Sequence, residues 1–366
     1  MVITNVSLLN FRNFNTLSLN LRENLNIFSG ANAQGKTNLL ESIYLCATGR
    51  SQRTSLLKEL IQFGSDSAHI KLTVRAGAAN RIDLHLRKNE KKGVAINGVA
   101  IKNIGDLFGV LYVVIFSPED LNLIKSGPAD RRRFMDMELC QLSKVYYYEI
   151  QQYVKALKQR NNLLKKIESA GGQLRDTLPV WDENLAAHGV KIIEHRKKFI
   201  ESMSLLAGEK HAAITGGKEK LEIIYKPNVA AEDFAEKLAK NIRRDIQLGS
   251  SSIGVHKDDL LFLVNGSDGR VYGSQGQQRT AALSVKLAEI ELIKKEKKLL
   301  PVLLLDDVMS ELDESRQTYL VKKITEVQSL ITCTGAEDFL KRAGSANTVF
   351  RVINGTIFNE GDRHGS

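Results

Sequence analysis

The sequence predicts an α/β fold in which strand-rich segments at both ends of the chain flank a long α-helical insertion. Short apolar segments alternating with polar turns fill the first hundred residues and return after residue 220, as in strands. Between about residues 129 and 206, apolar residues recur instead at three- and four-residue spacing, as in helices. We therefore place the domain boundaries at 1–120, 121–248 and 249–366.

The N-terminal segment is predicted to form strands and one early helix. VITNVSLLNF and LSLNLRENLNIFSG have strand character, and the second ends in the glycine-rich turn GANAQGKT. A helix is expected at TNLLESIYLCATG. KLTVRAG, RIDLHLRK and GVAINGVAI then alternate as in an antiparallel patch, and the continuous apolar run VLYVVIFSP predicts a strand buried on both faces.

The insertion is predicted to contain an antiparallel helical hairpin. Two long helical segments are joined by the loop AGGQLRDTLP, and their apolar stripes predict a packing seam like that of a short coiled coil. His188 and His195 lie on this stripe without a carboxylate at ligand spacing, so partly hydrated seam positions are favoured over metal ligands. Strand character returns at LEIIYKP and DDLLFLVNG, and later at LPVLLLDD, SLITCTG, TVFRVING and TIFNEG.

Composition excludes some classes of protein. Of the 366 residues 43% are hydrophobic, yet no window approaches the roughly 18 consecutive apolar residues of a membrane span. The lack of such a window predicts no membrane partner. The N-terminus has no basic segment followed by an apolar core, so no signal peptide is predicted. Cys46, Cys140 and Cys333 lie far apart without a CxxC pair, which predicts a reduced, cytoplasmic protein without disulfides or structural zinc.

The chain is basic, with a net charge of +10. Residues 121–250 hold 23 of the basic and 17 of the acidic side chains, so much of the excess lies in the insertion. A solvated basic face explains this balance as well as a polyanionic partner does. Nucleic acid is the partner to test.

The strongest local motif is the Walker A pattern GxxxxGK[ST] between a predicted strand and a predicted helix. Only a glycine-rich turn lets successive backbone N–H groups curl around phosphate oxygens, and the helix N-terminus adds its positive dipole end. Lys36 should reach the β- and γ-phosphates, and the Thr37 hydroxyl should bind Mg²⁺. The predicted nucleotide loop comprises Gly30, Ala31, Asn32, Ala33, Gln34, Gly35, Lys36 and Thr37.

A second motif, LLLDD at 303–307, has the Walker B arrangement of an apolar strand ending in carboxylates. Asp306 would hold Mg²⁺, and Asp307 could orient the attacking water. Together with Lys36, these two residues are the predicted catalytic groups. The two motifs together predict a P-loop NTPase that binds its nucleotide with Mg²⁺, without saying which kind. A GTPase is disfavoured because NKxD is absent, and a small-molecule kinase needs no insertion of this size.

The stretch VYGSQGQQRTAALSVKLAE places a run of Gly, Ser and Gln at the start of a convincing helix. We expect its backbone N–H groups and the Ser274 hydroxyl to bind a group that the stretch itself does not supply. The pattern resembles the signature of ABC-type ATPases, which implies γ-phosphate contacts from Ser274 and Gly276, with Gln277 beside them. SELD at 310–313 matches the D-loop of that class, which adds Asp313 to the nucleotide site.

Landmarks over nearly the whole length make the resemblance more specific. The chain resembles the RecF family of bacterial DNA-repair and recombination-mediator ATPases, related to SMC proteins. The carrying segments are LLNFRNF (8–14), GANAQGKTNLLE (30–41), GRSQRT (49–54), FSPEDLNLIKSGPADRRRFMD (116–136), GVHKDDL (254–260), GSQGQQRTAALSVKLAEIEL (273–292) and LLLDDVMSELD (303–313).

The resemblance implies an ABC-type ATPase head built from both chain ends, with a mixed sheet and an antiparallel patch, plus the helical lobe. ATP would be sandwiched between two protomers, bound by the Walker motifs of one and the signature of the other. ATP-dependent dimerisation would accompany binding to single-stranded or gapped DNA. The implied partners are RecO- and RecR-type mediators, and hydrolysis would be slow and DNA-stimulated.

Three departures from the wider ABC pattern bear on the chemistry. Asp307 stands where Glu is usual, no His follows the last core strand at 331–334, and no Q-loop Gln occurs near 117–120. These departures favour ATP as a conformational switch. They leave open a clamp that binds ATP without hydrolysing it, and they argue against the ATPase subunit of a membrane transporter.

The DNA-contacting residues are predicted from basic clusters. The lysines and arginines on the helix surfaces of the hairpin, including Arg160 and Arg196, are further candidates for DNA contact. A solvated surface explains any one of these residues taken alone. No aromatic platform for single strands is evident, so backbone contacts without base recognition are expected. The predicted contacts are Arg50, Arg53, Arg131, Arg132 and Arg133.

Overall fold

The computed structural model describes residues 1–169, 175–334 and 348–359. It divides into two compact units, which we call the terminal unit (Met1–Asp120 with Glu289–Ser366) and the inserted unit (Leu121–Ala288). The predicted domain boundaries at 120/121 and 248/249 stay predictions. Among the described residues, no helix is long and apolar enough to cross a membrane.

The N-terminal part of the terminal unit is mostly antiparallel. Strands β1, β2, β4, β5, β6 and β7 form one six-stranded sheet in the order β2-β1-β4-β5-β6-β7. The elements are β1 (Val2–Phe11), β2 (Phe14–Asn20), β3 (Leu25–Ser29), α1 (Lys36–Thr48), β4 (Ser67–Ala76), β5 (Ala78–Arg87), β6 (Gly93–Ile96), β7 (Val99–Ala100) and β8 (Val113–Phe116). The alternating strands are buried on one face, as β4 shows.

The inserted unit is mainly helical. Its two long helices α4 and α5 pack against each other, which confirms the predicted hairpin; residues 170–174 of the connecting loop lie outside the described residues. A three-stranded sheet in the order β11-β10-β9 packs beside α5 and α3. The elements are α2 (Asn122–Lys125), α3 (Pro128–Leu142), α4 (Lys144–Ser169), α5 (Leu178–Thr215), β9 (Leu221–Lys226), α6 (Phe234–Lys240), α7 (Ile242–Leu248), β10 (Asp259–Val264), β11 (Ser267–Asp268) and the first part of α8 (Gln275–Lys297), whose residues from Glu289 onward belong to the terminal unit.

The C-terminal part of the terminal unit completes a second six-stranded sheet in the order β15-β14-β3-β13-β12-β8. The remaining elements are β12 (Val302–Asp306), α9 (Glu314–Ile324), β13 (Ser329–Cys333), β14 (Thr348–Ile353) and β15 (Thr356–Asn359). Its strands are parallel except β15, and β3, β8 and β12 are buried along almost every residue. Strands from both chain ends thus alternate in one sheet, and α1 contacts both sheets of this unit.

Candidate nucleotide site

The loop 30–37 follows β3 and leads into α1, at the carboxyl edge of the parallel sheet where ligands bind in α/β folds. Its backbone needs glycine at two points. Gly35 has φ +113°, and a Cβ there would lie 2.5 Å from the Asn13 side chain. A Cβ on Gly30 would lie 2.4 Å from the Val352 carbonyl oxygen. The turn predicted from the motif therefore has the backbone form that such a loop requires.

Two neighbouring turns hold the loop in place. Asn13, in the turn between β1 and β2, donates from Nδ2 to the Gln34 carbonyl (2.9 Å) and accepts from Asn38 Nδ2 (2.8 Å). In the turn between β14 and β15, the backbone N–H of Gly355 donates to the same carbonyl (3.0 Å). Asn13 was not among the predicted site residues, although its segment LLNFRNF carried part of the family resemblance.

Lys36 is buried and lies across the loop. Its Nζ donates to the carbonyls of Gly30 (2.6 Å) and Ala31 (2.9 Å), and burial lowers its pKa. The ammonium is thus held by two loop carbonyls at the place where phosphate oxygens are expected. Exchange of these weak partners for anionic oxygens would strengthen each bond, because charge-assisted pairs are the stronger ones.

Thr37 and Asp306 meet although 269 residues separate them. The Thr37 hydroxyl donates to Asp306 Oδ1 at 2.8 Å, so the Walker A hydroxyl and the Walker B carboxylate are in direct contact. Burial raises the pKa of Asp306, while the hydrogen bonds from Thr332 and Thr37 oppose that rise. A hydroxyl and a carboxylate are the hard oxygen donors that Mg²⁺ prefers, so the residues present fit this ion.

Asp307 follows β12 in the left-handed region, with φ 52°. Its backbone N–H donates to the Thr332 hydroxyl at 3.0 Å. Cys333 lies next along β13, and burial raises the pKa of its thiol to about 11. Neither Thr332 nor Cys333 was predicted as a site residue.

Arg50 and Arg53 follow α1, and both are exposed. Arg53 Nη1 donates to Asn38 Oδ1 (2.8 Å) and lies 3.4 Å from the buried carboxylate of Glu41. Glu41 also accepts two hydrogen bonds from Arg12. Hydrogen bonds to Asn38 and Glu41 therefore join Arg53 to the phosphate-binding helix, and Glu41 was not among the predicted site residues. The predicted DNA contacts of Arg50 and Arg53 stay predictions.

The signature segment begins α8 with a reciprocal cap. The backbone N–H of Ser274 donates to Gln277 Oε1 (2.9 Å), and the backbone N–H of Gln277 donates to Ser274 Oγ (3.2 Å). This is the capping-box geometry, with Gln at the third helical position. The expectation that the stretch supplies no partner of its own was wrong for these groups. Gly276 lies within this first turn.

Asp313 caps α9. Its Oδ1 accepts from the backbone N–H of Arg316 at 3.0 Å, so in this structure it acts as an N-cap. The side chains at positions 310 and 311 of the same segment lie outside the described residues. The predicted contact of Asp313 with nucleotide stays a prediction.

The triple-arginine segment does not form one exposed cluster. Arg131 is buried, and its guanidinium pairs with both carboxylate oxygens of Asp259 (2.6 and 3.0 Å). Arg132 is half-buried and donates to the Asp258 carbonyl (2.8 Å), whereas Arg133 is exposed. A DNA contact by Arg131 was a wrong prediction, because its charge is already neutralised inside the inserted unit.

Arg160 and Arg196 of the hairpin are also buried rather than presented to solvent. Arg160 pairs with Asp182 (2.5 Å) and Asp245 (2.6 Å), and Arg196 pairs with Asp136 and Asp258 (2.7 Å each). His188 is half-buried with Nδ1 2.6 Å from Glu149, in keeping with a hydrated seam position. The remaining basic side chains of the hairpin that we considered are exposed, namely Lys155, Lys158, Lys165, Lys166, Lys197 and Lys198.

A parallel sheet with a phosphate loop and Walker B carboxylates at one edge, joined to a capped signature helix, defines an ABC-type P-loop ATPase. The family model described as RecF/RecN/SMC N terminal domain matches residues 2–357. The DNA replication and repair protein RecF of Lachnospira eligens is 50% identical over 362 residues, covering 98% of this chain and 100% of the relative. RecF of Lachnoclostridium phytofermentans is 50% identical over 358 residues, covering 98% and 99%. The chain therefore belongs to the RecF family.

Solved structures agree in fold. One described as "Structure of the recombination mediator protein RecF-ATP in RecFOR pathway" superposes with a TM-score of 0.91 at 38% identity, covering 98% of this chain and 97% of that one. The Smc head domain of Pyrococcus furiosus, crystallised with an extended coiled coil, superposes with a TM-score of 0.56 at 15% identity over 99% and 97% of the chains. The second likeness supports the ABC-type head fold alone.

Proposed function

We propose that this chain is an ATP-dependent DNA-binding protein of replication and recombinational repair, in which ATP acts mainly as a conformational switch and is hydrolysed slowly. The observation that carries the ATPase part is the contact between Thr37 and Asp306 beside the glycine-rich loop. The repair part is supported by the relatives, which are DNA replication and repair proteins.

ATP would be held by the backbone N–H groups of residues 31–37 and by Lys36. Thr37 and Asp306 would hold Mg²⁺, which would neutralise charge on the β- and γ-phosphate oxygens. Asp307 would orient the attacking water. Its short side chain and the absence of a His at 331–334 support slow turnover. They leave the non-hydrolysing clamp as the second candidate.

We propose further that ATP joins two copies of the chain. Ser274, Gly276 and Gln277 of one copy would face the γ-phosphate of ATP held by the other, because the positive dipole end of a helix N-terminus favours anions. DNA would bind to the exposed lysines of the hairpin and to Arg50, Arg53, Arg132 and Arg133, through backbone contacts. Cytoplasmic partners of the RecO and RecR type would complete the assembly.

Light scattering with and without ATP and Mg²⁺ tests the sandwich. ATP should double the mass of the wild type, and Lys36→Met or Ser274→Arg should keep the chain monomeric. Ser267→Arg is the matched control, because Ser267 is also exposed in the inserted unit but lies outside the signature. A monomer mass in both states for the wild type would exclude the sandwich.

ATP turnover with gapped, single-stranded or duplex DNA separates the two candidate functions. A slow ATPase should be stimulated by DNA, and Asp307→Asn should abolish turnover while ATP-dependent dimerisation is retained. A clamp would dimerise on ATP without measurable phosphate release under any of these conditions.

A further inference from the structure

Thr332 is a buried hydroxyl on β13 that touches both Walker B carboxylate residues. Its Oγ1 donates to Asp306 Oδ1 at 2.8 Å and accepts from the backbone N–H of Asp307 at 3.0 Å. A second acceptor, the Leu305 carbonyl, lies farther away at 3.4 Å. One hydroxyl has one proton to donate and lone pairs to accept, so both short bonds can exist together.

The position of this hydroxyl follows from the sheet. β12 and β13 are parallel, and their register ends with Asp306 opposite Thr332. Asp307 is thus the first residue beyond the paired strand, and its left-handed φ of 52° turns it away from the strand direction. A non-glycine residue in that region is strained and persists only where its surroundings fix it. The Thr332 hydroxyl oxygen accepts a hydrogen bond from the Asp307 N–H and so helps to fix this backbone.

The same hydroxyl also supports the carboxylate expected to hold Mg²⁺. Asp306 Oδ1 receives hydrogen bonds from Thr37, at the start of helix α1, and from Thr332 on strand β13. Thr37 belongs to the nucleotide loop, whereas Thr332 belongs to the rigid sheet. Thr332 therefore links the carboxylate to an element that nucleotide binding need not move.

We propose that Thr332 is a positioning residue for ATP hydrolysis, whose single hydroxyl fixes the carboxylate of Asp306 and the backbone of Asp307 in one arrangement. This inference rests on the proposed ATPase function and deepens it. Thr332 does not touch the nucleotide; it acts through its two neighbours. A small displacement of positioned groups is sufficient to slow a reaction by about 100-fold.

The test compares Thr332→Val, which keeps the shape but removes the hydroxyl, with Thr332→Ser, which restores it. Thr332→Val should lower kcat at least tenfold with little change in KM at saturating Mg²⁺, because the hydrogen bond to the charged carboxylate of Asp306 is lost. Thr332→Ser should remain within about threefold of the wild type, because it restores the hydroxyl. Ser329→Ala is the matched control, because this buried hydroxyl on the same strand bonds only to the Ile324 and Val327 carbonyls.

A binding measurement adds a readout that does not need turnover. With a fluorescent ATP analogue, Thr332→Val should raise the Mg²⁺ concentration for half-maximal binding several-fold, while binding without Mg²⁺ stays unchanged. Wild-type kcat and Mg²⁺ dependence in Thr332→Val would overturn the proposal. Equal losses in Thr332→Val and Ser329→Ala, in line with their melting temperatures, would also overturn it. If the wild type binds no nucleotide, the proposed ATPase function is refuted. The proposed role of Thr332 is then refuted as well.

Discussion

At the scale of single residues, the nucleotide loop depends on glycines that nothing else can replace. Gly35 combines a left-handed backbone with close approach to Asn13, whereas Gly77 between β4 and β5 has φ +82° but open space around it. The two glycines therefore separate the effect of backbone strain from the effect of steric contact.

Gly35→Ala should lower ATP affinity at least tenfold, because the new methyl group displaces Asn13 and with it the hydrogen bond to the Gln34 carbonyl. Gly77→Ala should cost only about 1–2 kcal/mol of stability, the penalty for a left-handed alanine. Calorimetric ATP titration measures the affinity of each variant, and thermal melting measures its stability. Equal ATP affinity in the two variants would contradict the steric argument.

His256 provides a pH-dependent contribution to stability at the same scale. Its Nδ1 lies 2.7 Å from the Tyr153 hydroxyl and its Nε2 lies 3.0 Å from the Ser251 carbonyl, so the neutral ring suits the site. Burial lowers its pKa from 6.5 to about 4, and the charges of Lys257 and Arg132 add to that shift.

The unfolded chain therefore binds more protons at this site than the folded chain between pH 6.5 and 4, and stability falls as the pH falls through that window. Between pH 7 and 5 this amounts to about 2 kcal/mol. Urea unfolding at both pH values should show this loss of unfolding free energy in the wild type. In His256→Gln the loss between pH 7 and 5 should be smaller by about 2 kcal/mol. Identical pH dependence in both chains would contradict the assignment.

At the scale of elements, the start of α8 is stabilised by side chains of its own first turn. Gln277 pairs with Ser274 and also donates from Nε2 to Glu219 Oε1 at 2.9 Å. Glu219 in turn lies 3.2 Å from Nε2 of the buried His211 in α5. The signature is thus fixed to the end of α5 before any phosphate is present.

Gln277→Ala should destabilise the chain by about 1 kcal/mol, the usual worth of a helix cap, and should weaken ATP-dependent dimerisation. Gln275→Ala is the control, since Gln275 is exposed in the same turn. Thermal melting and light scattering at graded ATP concentrations measure the two effects. Unchanged dimerisation in Gln277→Ala would place this residue outside the interface.

Periodicity and motif spacing predicted most elements and the Walker motifs, because both are local in sequence. The partners of charged residues are not local. Asp259 lies 128 residues from Arg131, and Asp245 lies 85 residues from Arg160, so no pattern in the sequence marks these arginines as buried. Thr332 was missed for a related reason: a threonine within an apolar strand looks like any other β-branched residue.

At the scale of the whole molecule, the net charge of +10 does not say which basic side chains a polyanion can reach. The guanidinium groups of Arg131, Arg160 and Arg196 form ion pairs with carboxylates inside the inserted unit. The exposed lysines of α4 and α5 remain, and under the proposed function they would determine how DNA binding responds to salt. Helix α4 offers both kinds of residue within one and a half turns, which allows a direct comparison.

Lys155 and Lys158 are exposed on α4, whereas Arg160 is fully buried between Asp182 and Asp245. If the lysines contact phosphates, Lys155→Ala with Lys158→Ala should reduce the slope of log affinity against log salt by about 1.4 on single strands, at unchanged stability. Arg160→Ala should leave that slope intact but destabilise the fold by about 3–5 kcal/mol, because two carboxylates lose their buried partner. Fluorescence anisotropy across a salt series and urea unfolding separate these outcomes. An unchanged slope in the double lysine variant would move the DNA-binding surface away from α4.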